Sequence, residues 1–266
     1  MIKISVLFVL FLCLLNPLAR AEVVLDKGKI AIKVKPGETV KGSLTLTNNS
    51  AVDIPLRAYY EDFTYVAPFD GSKNFLPAGS TDYSCGDWIS YSPQEFILSA
   101  SSKQELNYVI KVPENARGGY YGVLFFEKSP KLAPKEIGLG IIVRVGCLFF
   151  IETEDRLKKS ELESISAEDN MLKADFTNTG NTVLIGRAIY YTMDARGMVV
   201  DRSETEKFYL PIKGKYPLSI AMPEKLSVGR YTIILTFDLE EGDVLVKEID
   251  FTKNQRGSLN ILQIRD

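Results

Sequence analysis

Apolar and polar residues alternate with a period of two through most of this chain, the signature of strands with one buried face. In residues 29–34, Ile30, Ile32 and Val34 alternate with Lys29, Ala31 and Lys33. In residues 40–48, Val40, Leu44 and Leu46 share one face against Thr and Ser, and Asn48-Asn49-Ser50 turns the chain. Further strands are expected at 54–63, 95–98, 106–112, 120–127 and 137–151. After a charged stretch at 152–159, they resume at 162–165, 171–177, 183–193, 198–201, 207–210, 217–222, 231–239 and 244–251. Turn residues separate them at sandwich-like spacing, with Asp194-Ala195-Arg196-Gly197 and Glu241-Gly242-Asp243 read as hairpin turns. Helical periodicity is nearly absent. The pattern predicts an all-β protein with two sandwiches in tandem, at 22–152 and 153–251, and a tail at 252–266 with no evident pairing partner.

The first segment reads as an address. Lys3 supplies a positive start, residues 4–15 are predominantly apolar, and Ala19-Arg20-Ala21 has the small-x-small pattern of a cleavage site. A signal peptide at 1–21, cut before Glu22, is therefore expected. The apolar run is too short for a hydrocarbon core of about 30 Å. The stretch 137–151 is the next most apolar and is interrupted by Gly138, Gly140, Arg144 and Gly146. A soluble exported protein is expected, periplasmic first, with secretion or the cell surface as alternatives and no stable membrane anchor in the mature chain.

Composition narrows the chemistry. The 266 residues include no His, so a Ser-His-Asp or Cys-His pair and a His-based zinc site are excluded. A net charge of −2 argues against a nucleic-acid binder. Carboxylate neighbours such as Glu61-Asp62 point to opposite faces of a strand and do not converge as an acid and base. No cofactor, metal or catalytic residue is expected.

Four features remain as candidates. Cys85 and Cys147 survive removal of the leader, and an oxidising compartment allows a disulfide between them; the alternative is one exposed thiol and one buried apolar residue. The longest connection, 62–87, carries Phe63, Tyr65, Phe69, Phe75 and Tyr83, with Trp88 directly after. These aromatics fit either a binding surface or an inserted hairpin packed on the sandwich, and the hairpin is favoured. Asp70-Gly71-Ser72-Lys73-Asn74 resembles a calcium loop but has Phe75 where the glycine belongs, so it reads as a plain turn. Gly118-Gly119 fits a tight turn into a strand whose backbone approaches a neighbour closely.

Several stretches together resemble a known group. KPGETVKGSLTLTNN at 35–49, WISYSPQEFIL at 88–98 and IKVPENARGGYYGVLFFE at 110–127 lie in the first half. FTNTGN at 176–181, DARGMV at 194–199 and GRYTIIL at 229–235 lie in the second. Their order resembles the two-domain exported proteins related to periplasmic pilus chaperones and to WxL-interacting surface proteins. The resemblance implies two immunoglobulin-like β-sandwiches and a non-enzymatic role through protein contact, chaperone-like or accessory, in assembling a pilus or surface structure. It also implies an alternating apolar strand that completes a subunit's fold, and a basic pair in the cleft for the subunit's terminal carboxylate. Leu139, Ile141, Val143 and Val145 alternate around Arg144 and form the candidate partner-binding strand; Lys29 and Lys33 are cations on the first strand. The alternative is an envelope glycan or cell-wall binding module using the 62–88 aromatics.

Overall fold

In this computed structural model, residues 21–128, 142–240, 242 and 244–266 are described. They form two all-β sandwiches. The first is built from β1 (Val23–Leu25), β2 (Lys29–Val34), β3 (Thr39–Asn48), β4 (Ile54–Tyr65), β5 (Lys73–Pro77), β6 (Ile89–Ser92), β7 (Glu95–Leu98), β8 (Lys103–Lys111), β9 (Gly119–Lys128) and β10 (Arg144–Thr153). The second contains β11 (Ser160–Glu168), β12 (Met171–Asn178), β13 (Leu184–Asp194), β14 (Val199–Glu204), β15 (Phe208–Leu210), β16 (Lys215–Ala221), β17 (Gly229–Leu239), β18 (Leu245–Lys253) and β19 (Leu259–Arg265). No described helix is long and apolar enough to cross a membrane. The signal-peptide expectation falls almost wholly outside the described residues.

In the first sandwich a sheet ordered β1-β3-β8-β6 faces one ordered β2-β10-β9-β4-β5, with β7 also on β4. The second repeats this plan: β11-β12-β16 faces β14-β13-β17-β18-β19, with β15 on β13. Alternation explains the cores. Leu44 and Leu46 of β3 meet Leu106 and Ile110 of β8 and Phe149 and Ile151 of β10 in one core. Leu172 and Phe176 of β12 meet Ile233, Leu235 and Phe237 of β17 in the other. Each core is closed by a buried Asn at a strand end. The Asn48 amide lies 2.8–3.0 Å from the carbonyls of Val52, Leu98 and Ser99. The Asn178 amide lies 2.8–3.2 Å from those of Thr182, Leu210 and Pro211.

Two expectations change here. Residues 252–266 do not trail away: β19 pairs antiparallel with β18. Its anchor is Arg265, which donates to Asp250 at 2.8 Å and to Glu248 at 3.0 Å. The second is the disulfide: Cys85 and Cys147 are both free and fully buried. Cys85 sits against the Tyr60 hydroxyl at 3.1 Å, and Cys147 takes a core-facing position on β10. Burial pushes both thiols up to about 12, so both stay protonated and act as small apolar residues.

The β19 anchor predicts an acid dependence. Hydrogen bonds from Arg265, then from Thr232, hold the Asp250 carboxyl down to about 2. Its folded pKa lies below the ordinary aspartate value of 3.8. The ionised carboxylate therefore stabilises the fold at neutral pH, and this contribution fades as pH falls from about 4 toward 2. Arg265→Ala should be less stable than wild type to urea at pH 7 and should lose less further stability between pH 4 and pH 2. Equal pH slopes for the two proteins would rule the anchor out.

Candidate partner-binding edge and cleft

The path of the first strand leaves a gap in the sheet. Leu25 pairs with Leu46 in one sheet, and the Asp26 amide still bonds to Thr45 there. The chain then crosses, and by Lys29 it runs parallel to β10 in the opposite sheet. Pairing with β10 starts at Lys29↔Leu148, and the Leu148 amide bonds to the Gly28 carbonyl. Residues 144–147 of β10 thus have β9 on one flank and, among the described residues, no hydrogen-bonded strand on the other, although β1 passes close to β10 while pairing with β3 in the opposite sheet.

This corrects the expected edge strand. Leu139 and Ile141 lie outside the described residues. From Leu148 onward β10 is interior, between β2 and β9, so its open edge is confined to 144–147. Ile142 and Val143 precede it and are 57% and 62% exposed. Val145 packs partly against the first core, beside buried Cys147, Phe149 and Ile151. Arg144 lies on the other face, with its guanidinium over the ring of Phe125.

Beyond the open edge lies a cleft of about 450 Å³ between the sandwiches. Lys29 and Lys33 of β2, Glu152 of β10, Arg156, Lys158 and Glu240 bring charge to it. Arg156 pairs with Glu152, and Lys158 donates to the Glu240 carbonyl. Lys29 forms no ion pair among the described residues, and its ammonium sits 4.4 Å from the centroid of Phe150. A second cation, Lys73 of β5, lies over Tyr65 at 4.9 Å. Its pKa is lowered by burial and by the charge of Lys29. Sequence reading missed Lys73, because nothing in its local pattern separates it from a solvated strand lysine.

The aromatic stretch is not an exposed loop. Phe63 and Tyr65 are on β4 and Phe75 is on β5. Phe63, Tyr65, Tyr121, Phe150 and Val183 bury one another where the sandwiches meet, with Phe69 and Tyr83 packed against them. The Tyr209 amide of the second sandwich bonds to the Phe69 carbonyl at 2.7 Å. The Tyr121 hydroxyl lies 2.6 Å from the Thr182 hydroxyl and accepts from the Val183 amide at 2.7 Å. Trp88 sits at a 3-10 turn with its ring centroid 4.2 Å from that of Tyr120. Phe75 stays partly exposed beside Phe125. The inserted-hairpin reading thus describes these residues, and the buried rings offer no sugar-stacking platform.

The chain matches no protein-family model and no curated protein. Solved structures do match. A chain of the chaperone–tip adhesin complex of CFA/I fimbriae biogenesis aligns with a TM-score of 0.53 at 13% identity, over 85% of this chain and 97% of that one. The class 5 fimbriae chaperone CfaA aligns with a TM-score of 0.53 at 11% identity, over 84% of this chain and 97% of its own. The fold is that of a fimbrial chaperone. In this fold two immunoglobulin-like sandwiches flank a cleft, and here Lys29 of β2 and Phe150 and Glu152 of β10 line it, further along β10 than its open start.

Proposed function

We propose that this protein is a non-enzymatic, exported chaperone-like factor that receives an extended strand of a pilus or surface-structure subunit along β10. The observation that carries the reading is that 144–147 have, among the described residues, no paired strand on the flank that ends at Gly28 and Lys29. A strand there gains backbone hydrogen bonds from the open edge, and exposed Val143 offers it an apolar side chain. The polarity is set by charge. A strand running parallel to β10, as β2 does, brings its C-terminal carboxylate toward Lys29 and Lys73 and relieves the repulsion between them. An antiparallel strand would bring an ammonium there instead. The leader expected at 1–21 and a sequence without His agree with an exported binding protein.

The test is affinity capture from the envelope fraction of the producing cell, followed by hydrogen exchange on the captured complex. Bound subunit should slow exchange of the amides at 142–147. Val143→Lys should reduce capture at least tenfold. Lys29→Ala with Lys73→Ala should weaken it about tenfold, the loss of one charge-assisted contact. Equal capture of the same subunits by wild type and Val143→Lys would reject strand addition.

A further inference from the structure

Among the described residues, the open start of β10 is hydrogen-bonded along one flank only and opens a strand, so elementary physics expects it to fray. One side chain opposes this. The Arg144 guanidinium lies 3.8 Å from the ring centroid of Phe125 on β9 and 5.2 Å from that of Phe75 on β5. Its Nη1 donates at 3.1 Å to the Tyr59 hydroxyl and at 3.1 Å to both oxygens of Glu61, both on β4. One side chain therefore ties β10 to three other strands of its sheet. The partners are fixed in turn. The Tyr59 hydroxyl donates to Glu127 at 2.6 Å, and Arg57 pairs with Glu127 from the other side at 3.5 Å.

Gly146 completes the arrangement. A Cβ at Gly146 would come within 2.8 Å of the Phe125 ring and 2.9 Å of Val123. The bare backbone there leaves room for the Phe125 ring, which carries the cation from two residues upstream. Arg144 and Gly146 share this outer face, opposite Val145 and Cys147.

We propose that Arg144 is a positioning residue that stands in for the missing neighbour strand and holds 144–147 extended before a partner arrives. The inference rests on the strand-addition reading for its purpose but not for its test. A preformed edge spares the partner the ordering step. When only a fraction f of molecules holds the competent edge, the apparent Kd rises as 1/f.

Hydrogen exchange on the free, full-length protein tests the clamp. In wild type, the amides of 144–147 that bond to β9 should be protected. Arg144→Ala should speed their exchange at least tenfold and leave β17 unchanged. Arg144→Lys, which keeps the charge but loses the planar guanidinium stacked on Phe125, should fall between. Gly146→Val, which keeps the arginine and displaces Phe125, should loosen the same amides. Unprotected amides in wild type, or unchanged exchange in both Arg144→Ala and Gly146→Val, would overturn the clamp. Protected amides in a protein that captures no subunit would instead remove the strand-addition reading and leave the clamp standing.

Discussion

Asn48→Ala should cost the first sandwich about 3 kcal/mol, since buried carbonyls left unpaired cost roughly 1–3 kcal/mol each. Asn48 is 1% exposed, and its amide serves three carbonyls from two different segments. Its Oδ1 also accepts from the Ser50 amide at 2.9 Å. It therefore ties the end of β3 in one sheet to the end of β7 in the other. Asn48→Asp separates packing from donation. The volume is kept, but a carboxylate then faces three carbonyls, so Asp should be worse than Ala. Trp88 is the only Trp and reports on the first sandwich alone. Its fluorescence in urea should show an early transition for both Asn48 variants. Asn178→Ala, the counterpart at the end of β12, should destabilise the second sandwich by a similar amount. If Asn48→Asp proves as stable as wild type, the donor role is wrong. Asn48-Asn49-Ser50 also matches an Asn-x-Ser glycosylation sequence, but the Asn48 amide is buried and no glycan can reach it.

Gly118→Ala should separate the sandwiches at their joint. Gly118 has φ +86°, and a Cβ there would come 2.3 Å from the backbone oxygen of Asn181. That oxygen cannot move cheaply. It accepts from the Gly119 amide at 2.9 Å, and the Asn181 amide donates to Leu157 at 3.0 Å. Gly197 provides the control. Its φ is +77°, and nothing lies within 4 Å of its would-be Cβ. Gly197→Ala should therefore cost only the left-handed backbone penalty of about 1–2 kcal/mol. Gly118→Ala should add an enlarged radius of gyration in X-ray scattering and a Trp88 transition uncoupled from that of the second sandwich. Matching scattering for the two variants would show that the joint tolerates the methyl and is not the constraint argued here. An opened joint should also weaken subunit capture, because residues of both sandwiches line the cleft.

Much of the fold was legible in local alternation. β3, β12 and β17 alternate cleanly because one face of each packs against a core. Four strands escaped: β1, β5, β6 and β19. Each ends the order of its sheet, where a strand buries few side chains and its hydrophobic pattern weakens. The 62–88 aromatics were legible as a cluster but not as a surface or a core. Their burial depends on Val183 and Tyr209, more than a hundred residues downstream of Phe63. The disulfide could not be judged either, because cysteine spacing carries no distance.

By itself the sequence determined an all-β chain of two sandwiches, because period-two alternation is a local consequence of the pleat. It also supplied the group whose fold the chain shares. Only the tertiary structure decided where the open edge lies and what borders it. The gap beside 144–147 exists because the chain changes sheets at residues 26–28, more than a hundred positions away. Arg144, Lys29 and Lys73 gain their roles in the same way, from neighbours that strand pairing brings together and local periodicity does not encode.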